Sequence, residues 1–176
     1  MESPADGQPP LVWRSSGGRK GSKLDTSIIC GVDGSPDSQA AVGVAVRLAE
    51  RLGARLVLAH VVEDALVPYA AVGAGGIAPP PMLPALRGEQ EEAGARLLEG
   101  VAAAMGLDDA EQRVAVGFPA ERLADLADDE DAELIVVGSR GRGRFKAAFL
   151  GSVSNSLVGV ARCPVLIVPP GVSATH

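Results

Sequence analysis

Aromatic residues are scarce in this chain of 176 residues, which has one Trp, one Tyr and three Phe. Proteins that hold single-stranded nucleic acid stack the bases on aromatic platforms, and five rings spread over the chain do not build one. Basic charge is also short. Sixteen Lys and Arg stand against 22 Asp and Glu, a formal net charge of -6, which repels nucleic-acid phosphates and anionic membrane surfaces alike. Neither nucleic acid nor membrane is an expected partner. Long apolar runs are missing, since none approaches the about 18 uninterrupted residues of a membrane span. The N-terminal stretch lacks the roughly seven-residue apolar core of a secretory leader, its longest apolar run being Leu11-Val12-Trp13. The cytoplasm is the expected location.

The chemistry-bearing residues are few as well. Cys30 and Cys163 match no zinc spacing and no CxxC pair, and each lies in or beside an apolar run, as small buried hydrophobes do. His60 sits on an apolar strand with no assignable Ser or Cys partner, so it reads as a half-buried, satisfied histidine and no triad emerges. Asp128-Asp129-Glu130-Asp131 falls at a helix C-terminus and reads as a solvated edge. No catalytic residue and no protein metal site is assigned.

What the chain does have is 47% hydrophobic residues arranged in a repeating order. Residues 1–24 are rich in Pro and Gly, show no periodicity and predict a disordered tail. From Ser27 to Val32 runs a nearly continuous apolar strand of the kind covered on both faces. Asp33-Gly34-Ser35-Pro36 then starts a helix, with Ser35 as N-cap and Pro36 as first helical residue. Its apolar stripe, Ala41, Ala45, Leu48, Ala49 and Leu52, ends at Gly53, a C-cap residue. Further strands are predicted at 55–62, 113–116, 134–137 and 165–168, and further helices at about 89–105, 120–129 and 152–161. Between them lies a Pro- and Gly-bearing loop at 64–88, too long to be a plain connection. Strict β-α alternation predicts one domain over residues 25–170, a doubly wound parallel α/β sheet with helices on both faces, followed by a flexible end at 171–176.

In such a sheet a ligand binds beyond the carboxyl ends of the strands, where the strand order reverses. Two strand ends are built for one. The first strand ends in Val32-Asp33-Gly34-Ser35, and the fourth ends in Val137-Gly138-Ser139-Arg140-Gly141, followed by Gly151-Ser152-Val153-Ser154 at the start of the last helix. Glycines let backbone approach an anion, and the N–H groups of a helix start are donors to phosphate. No GxxxxGK[ST] occurs, and the first strand carries no GxGxxG turn. The pattern present is G-x2-G-x9-G-S, formed by Gly138, Gly141, Gly151 and Ser152. Asp33 has two readings at this point, a ligand contact or a carboxylate that caps its own turn. Of the basic series Arg140, Arg142, Arg144 and Lys146, only Arg140 lies inside the motif, as a candidate phosphate contact; the others read as solvated.

With these residues the chain resembles the universal stress protein family, and specifically its nucleotide-binding branch. VDGSPDSQAA, Ala59-His60-Val61-Val62, Gly117-Phe118-Pro119, LIVVGSRGRG and Cys163-Pro164-Val165-Leu166-Ile167-Val168 follow the family in order, over about residues 26–169. The resemblance implies a five-stranded sheet in the order 3-2-1-4-5, a Rossmann-like, adenine nucleotide alpha hydrolase-like fold. It implies ATP as the bound nucleotide; Mg2+ could arrive with it, held largely by phosphate oxygens. Asp33 would meet the ribose or the adenine edge, with Ser35 beside it, and Val32 and Val61 would line the adenine pocket. Val137, Gly138, Ser139, Arg140 and Gly141 would wrap the ribose and phosphates, and Gly151, Ser152, Val153 and Ser154 would hold the phosphate tail.

The functional expectation is an ATP-binding stress protein whose nucleotide is a signal or a stabilising ligand, with at most slow hydrolysis or autophosphorylation. The alternative is a dimeric interaction module that binds another adenine ligand, such as cyclic AMP, or none. The bare apolar edge Val165–Val168 predicts a homodimer through that strand, as the resemblance also implies.

Overall fold

Among the described residues ten elements follow one another: β1 (Arg14–Ser16), β2 (Ser27–Gly31), α1 (Pro36–Leu52), β3 (Arg55–Val62), α2 (Pro84–Met105), β4 (Glu111–Val116), α3 (Pro119–Asp129), β5 (Ala132–Gly138), α4 (Ser152–Val160) and β6 (Val165–Val168). They come from a computed structural model that describes residues 14–16, 26–63, 84–107, 109–141 and 150–172. Most of the 64–88 loop, and Arg142, Arg144 and Lys146, lie outside the described residues.

Local chemistry sets the ends of α1. The Ser35 hydroxyl accepts the Ser38 N–H at 3.2 Å, Pro36 opens the helix where no N–H is required, and Asp37 adds an acid to the first turn. Gly53 closes it at φ 65°, the left-handed conformation that costs glycine least. Ala41, Ala45 and Ala49 make the buried stripe, and their small side chains let α1 lie close on the sheet.

The sheet runs β1-β4-β3-β2-β5-β6, and β2 to β6 are all parallel. Those five strands carry the predicted order 3-2-1-4-5. Along β2, successive side chains enter opposite layers. Ile28 and Cys30 face α1 and α2 in one core with Leu58, Leu98 and Val136, whereas Ile29 faces α3 and α4 in the other with Val57, Leu126, Ile135 and Leu157. A strand buried on both faces has to be apolar throughout, which is why 27–31 shows no alternation.

One strand is additional. Residues 14–16, which the composition places in the tail, pair antiparallel with β4, Arg14 opposite Val114 and Ser16 opposite Gln112. Nothing in their own sequence is strand-like; the open edge of β4 supplies the partners. The remainder of 1–24 lies outside the described residues. At the other end of the sheet, β6 pairs only with β5 among the described residues.

The amino ends of the strands are tied by charge. Arg55 reaches Glu111 at 2.7 Å and Glu130 at 3.0 Å, and Arg113 bonds Glu111 and reaches Glu130 at 3.3 Å. Ser27 at the start of β2 donates its hydroxyl to the Glu130 carbonyl at 3.1 Å. Four charged side chains thus fasten β3, β4 and the end of α3 together, and leave the carboxyl ends to other uses.

Candidate functional site

β2 and β5 are neighbours, with Cys30 opposite Val136, while the chain leaving β2 crosses to β3 on the other side. That reversal opens a crevice at the carboxyl ends. A cleft of about 770 Å³ lies there. The ends of β2 and β3 give it Val32, Asp33, Ala59, His60 and Val61; α2 gives Gln90, Ala93, Gly94 and Leu97; Pro119 and Leu123 of α3 add to the wall. From β5 and α4 come Val137, Gly138, Arg140, Gly141 and Gly151 to Ser154. One region of the wall is therefore mainly apolar and the other is rich in glycine and serine.

Asp33 caps its own turn and also lines the cleft. Its Oδ1 accepts the Ser35 N–H at 2.9 Å, capping the turn. Its Oδ2 faces the glycine loop, where a Cβ on Gly141 would stand 2.6 Å away. Gly141 is thus glycine because a carboxylate occupies the space of its side chain. His60 is held by a 2.7 Å contact between Nδ1 and the Val32 carbonyl, which assigns the proton to Nδ1 because a carbonyl only accepts. A Cβ on Gly94 would lie 2.7 Å from the His60 ring, so α2 passes this histidine at its glycine.

The start of α4 is clamped to the glycine loop by one carbonyl. Ser139 O accepts the Gly151 N–H at 2.7 Å and the Ser154 hydroxyl at 3.1 Å. Gly151 is the N-cap and, having no side chain, makes no cap hydrogen bond. The first intrahelical bond runs from Asn155 N–H to Gly151 O at 3.0 Å. The N–H groups of Ser152, Val153 and Ser154 therefore precede the helical ladder, pointing along the positive end of the helix dipole. Such a terminus is a ready anion site.

Ser35 and Ser139, expected among the ligand contacts, stand behind the cleft wall with their hydroxyls engaged internally. Ser35 Oγ caps α1 and donates to the Arg140 carbonyl at 3.3 Å. Ser139 Oγ donates to Asp37 at 2.9 Å. The hydroxyl of Ser154 is also committed, to Ser139 O and to Gly151 O, while Ser152 is exposed at the helix start. The other expected site residues line the cleft together.

Asp37 is the residue that sequence reasoning missed. It is 9% exposed, and α1 presents it to the glycine loop. A Cβ on Gly138 would be 2.7 Å from the Asp37 carbonyl carbon and 2.8 Å from the Ser38 nitrogen, so only glycine lets these backbones meet. The available signal was an acid four residues after Asp33, in the first turn of a helix that begins at the crevice.

Among the described residues no group of three or more His, Cys, Asp or Glu gathers to hold a metal ion, and no helix is long and apolar enough to cross a membrane. Both cysteines are free thiols away from the cleft wall, and burial pushes the fully enclosed Cys30 up to about 12. Burial also raises Cys163.

The sheet order and the crevice place the chain among the adenine nucleotide alpha hydrolase-like α/β folds. A family model described as "Universal stress protein family" matches residues 26–169, and the chain belongs to that family. It is 35% identical over 144 residues to the universal stress protein YxiE of Bacillus subtilis, covering 80% of this chain and 97% of that one. It is 37% identical over 147 residues to a Mycolicibacterium smegmatis universal stress protein, covering 81% of this chain but 45% of that longer protein. A solved universal stress protein in complex with cAMP shares 30% identity, a TM-score of 0.55 and coverage of 83% of this chain and 98% of that one.

Proposed function

We propose that this universal stress protein binds an adenine nucleotide in the cleft, with ATP as the ligand, and holds it as a signal or stabilising group in a stress response. The observation that carries the reading is the start of α4. Three leading N–H groups without intrahelical acceptors lie across from Gly138 and Gly141, at the glycine-rich part of a cleft whose remaining wall is mainly apolar. A phosphate tail fits the first and a base the second. Val32 and Val61 would flank the base, Asp33 Oδ2 would accept from the ribose or the adenine edge, and Arg140 would meet phosphate. Mg2+ would be held through phosphate oxygens.

No side chain is assigned a catalytic role. Phosphoryl transfer needs a positioned base and cationic clamps, and among the described residues only Arg140 lines the cleft as such a clamp. Slow turnover is the most we ascribe to the site. We place the protein in the cytoplasm, where a reducing medium suits two unpaired thiols. It works as a homodimer through β6, supported by the free edge Val165–Val168 and the neighbouring exposed Val158 and Val160 of α4. Sedimentation showing only monomer at micromolar concentrations would count against the dimer.

Isothermal titration of nucleotide-stripped protein with ATP tests the main reading, alongside Ser152→Asp. An acid at the first position of an uncapped helix stabilises it by about 0.3–1 kcal/mol, yet puts negative charge where the phosphate belongs. Saturable ATP binding, weakened about tenfold or more in a variant at least as stable, is the expected result. Equal affinity in both proteins would move the phosphates away from α4, and no binding would sink the nucleotide reading. The cAMP-bound relative favours a second reading, in which the cyclic nucleotide is the ligand. Tighter binding of cAMP than of ATP in the same titration would establish it.

A further inference from the structure

Among the described residues, Arg140 is the one glycine-loop cation that lines the cleft, and it is already in contact with a carboxylate that does not. Arg140 Nε lies 3.5 Å from Asp37 Oδ2, and that same oxygen accepts the Ser139 hydroxyl at 2.9 Å. The two partners differ in freedom. The Asp37 side chain is 12% exposed and fixed in the first turn of α1, whereas the Arg140 side chain is 38% exposed. The Arg140 carbonyl accepts from Ser35 Oγ, which ties its backbone to the start of α1. Gly138 keeps the arrangement short, because its backbone rests against Asp37 itself.

We infer that Asp37 is a positioning residue that competes with ligand phosphates for the Arg140 guanidinium and so sets how long a phosphate tail the cleft favours. The inference rests on the nucleotide reading and deepens it. A phosphate arriving at the start of α4 draws Arg140 toward the cleft, while Asp37 draws it back. A ligand with one phosphate relies on the α4 N–H groups alone. A triphosphate extends toward the loop and needs the guanidinium that Asp37 holds back. Asp37 therefore acts against ATP and leaves AMP nearly untouched.

The test is calorimetric titration of ATP and of AMP into wild type, Asp37→Asn, Arg140→Gln and the double variant, at one salt concentration. Asn keeps an acceptor for the Ser139 hydroxyl and removes the charge. Asp37→Asn is expected to tighten ATP by about two- to fivefold, the scale of a partly exposed ion pair, with AMP unchanged. The gain is expected to vanish in the Arg140→Gln background. A change of the same size for both nucleotides, or a gain that persists without Arg140, would overturn the inference. Arg140→Gln alone provides a check that does not depend on altering α1, since it is expected to weaken ATP more than AMP; equal effects would also overturn it. Wild type that binds neither nucleotide would fell the parent reading and this inference with it, an outcome distinct from binding whose ATP to AMP ratio ignores Asp37.

Discussion

At the amino ends of β3 and β4, Arg55, Glu111, Arg113 and Glu130 pair with one another, with the buried Arg55 Nε left over. At the carboxyl ends of β2 and β5, the polar groups facing the cleft include the leading N–H groups of α4, whose helix has no side-chain cap. The first end has spent its charges on internal partners and so fastens strands. The second keeps donors without intrahelical acceptors, because a helix start has no preceding turn to accept them. The same fold thus separates holding from binding, and substitutions at the two ends should separate stability from affinity.

Gly138→Ala breaks that separation most severely, because it lies where the binding loop is also a packing contact. Its Cβ would meet backbone atoms of Asp37 and Ser38 at 2.7 and 2.8 Å, and backbone does not step aside as a side-chain tip does. A loss of about 2–3 kcal/mol in urea unfolding is expected, together with loss of nucleotide binding. A variant as stable as wild type would mean that α1 and β5 can part there without cost.

Glu111→Gln should act on the amino end alone. It leaves Arg55 and Arg113, two half-buried to well-buried guanidiniums, with Glu130 as the remaining acid of the group. The expected cost is about 1.5–3 kcal/mol, the scale of a hydrogen bond to a charged group, with nucleotide affinity unchanged in titration. A parallel fall in affinity would show that the two ends communicate through the sheet.

How far the sequence reveals this division depends on whether a feature is local. The start and end of α1 are legible because Ser35, Pro36 and Gly53 act within one turn of themselves. Strands 55–62 and 165–168 are legible because burial on both faces or one edge leaves a plain apolar run. β4 and β5 begin two residues earlier than predicted, at Glu111 and Ala132, since polar Glu111 belongs to the ion-pair group and not to an apolar run. β1 is hidden because its partners are on β4. In the cleft, residue types and spacing locate the loop and the helix start. They do not reveal that Ser35 and Ser139 turn inward, nor that Asp37 meets Gly138, because both depend on how α1 seats against β5.

The contrast between ends has a sideways counterpart in the two sheet edges. β1 covers β4, whereas β6 has no further strand among the described residues. Deleting residues 1–24 removes a three-residue pairing, for an expected cost of about 1 kcal/mol. The larger consequence is a second open edge, so sedimentation should show association beyond that of the full chain. An unchanged distribution would mean that β4 needs no cover.

Inside the sheet, Cys30 offers the smallest effect and a control for both ends. It is enclosed in β2, and burial pushes its thiol up to about 12. A thiol is charged only after losing its proton, so a raised value means that the folded protein holds the proton more tightly than the unfolded chain. The stabilisation is full below the thiol's ordinary value near 9 and is lost as pH rises toward 12. Cys30→Ala should lower stability at neutral pH by about 1 kcal/mol, through a small cavity, and should flatten part of the decline above pH 9. Urea midpoints measured across that range decide it, because a decline of the same slope in both proteins would assign the alkaline sensitivity to groups other than this thiol.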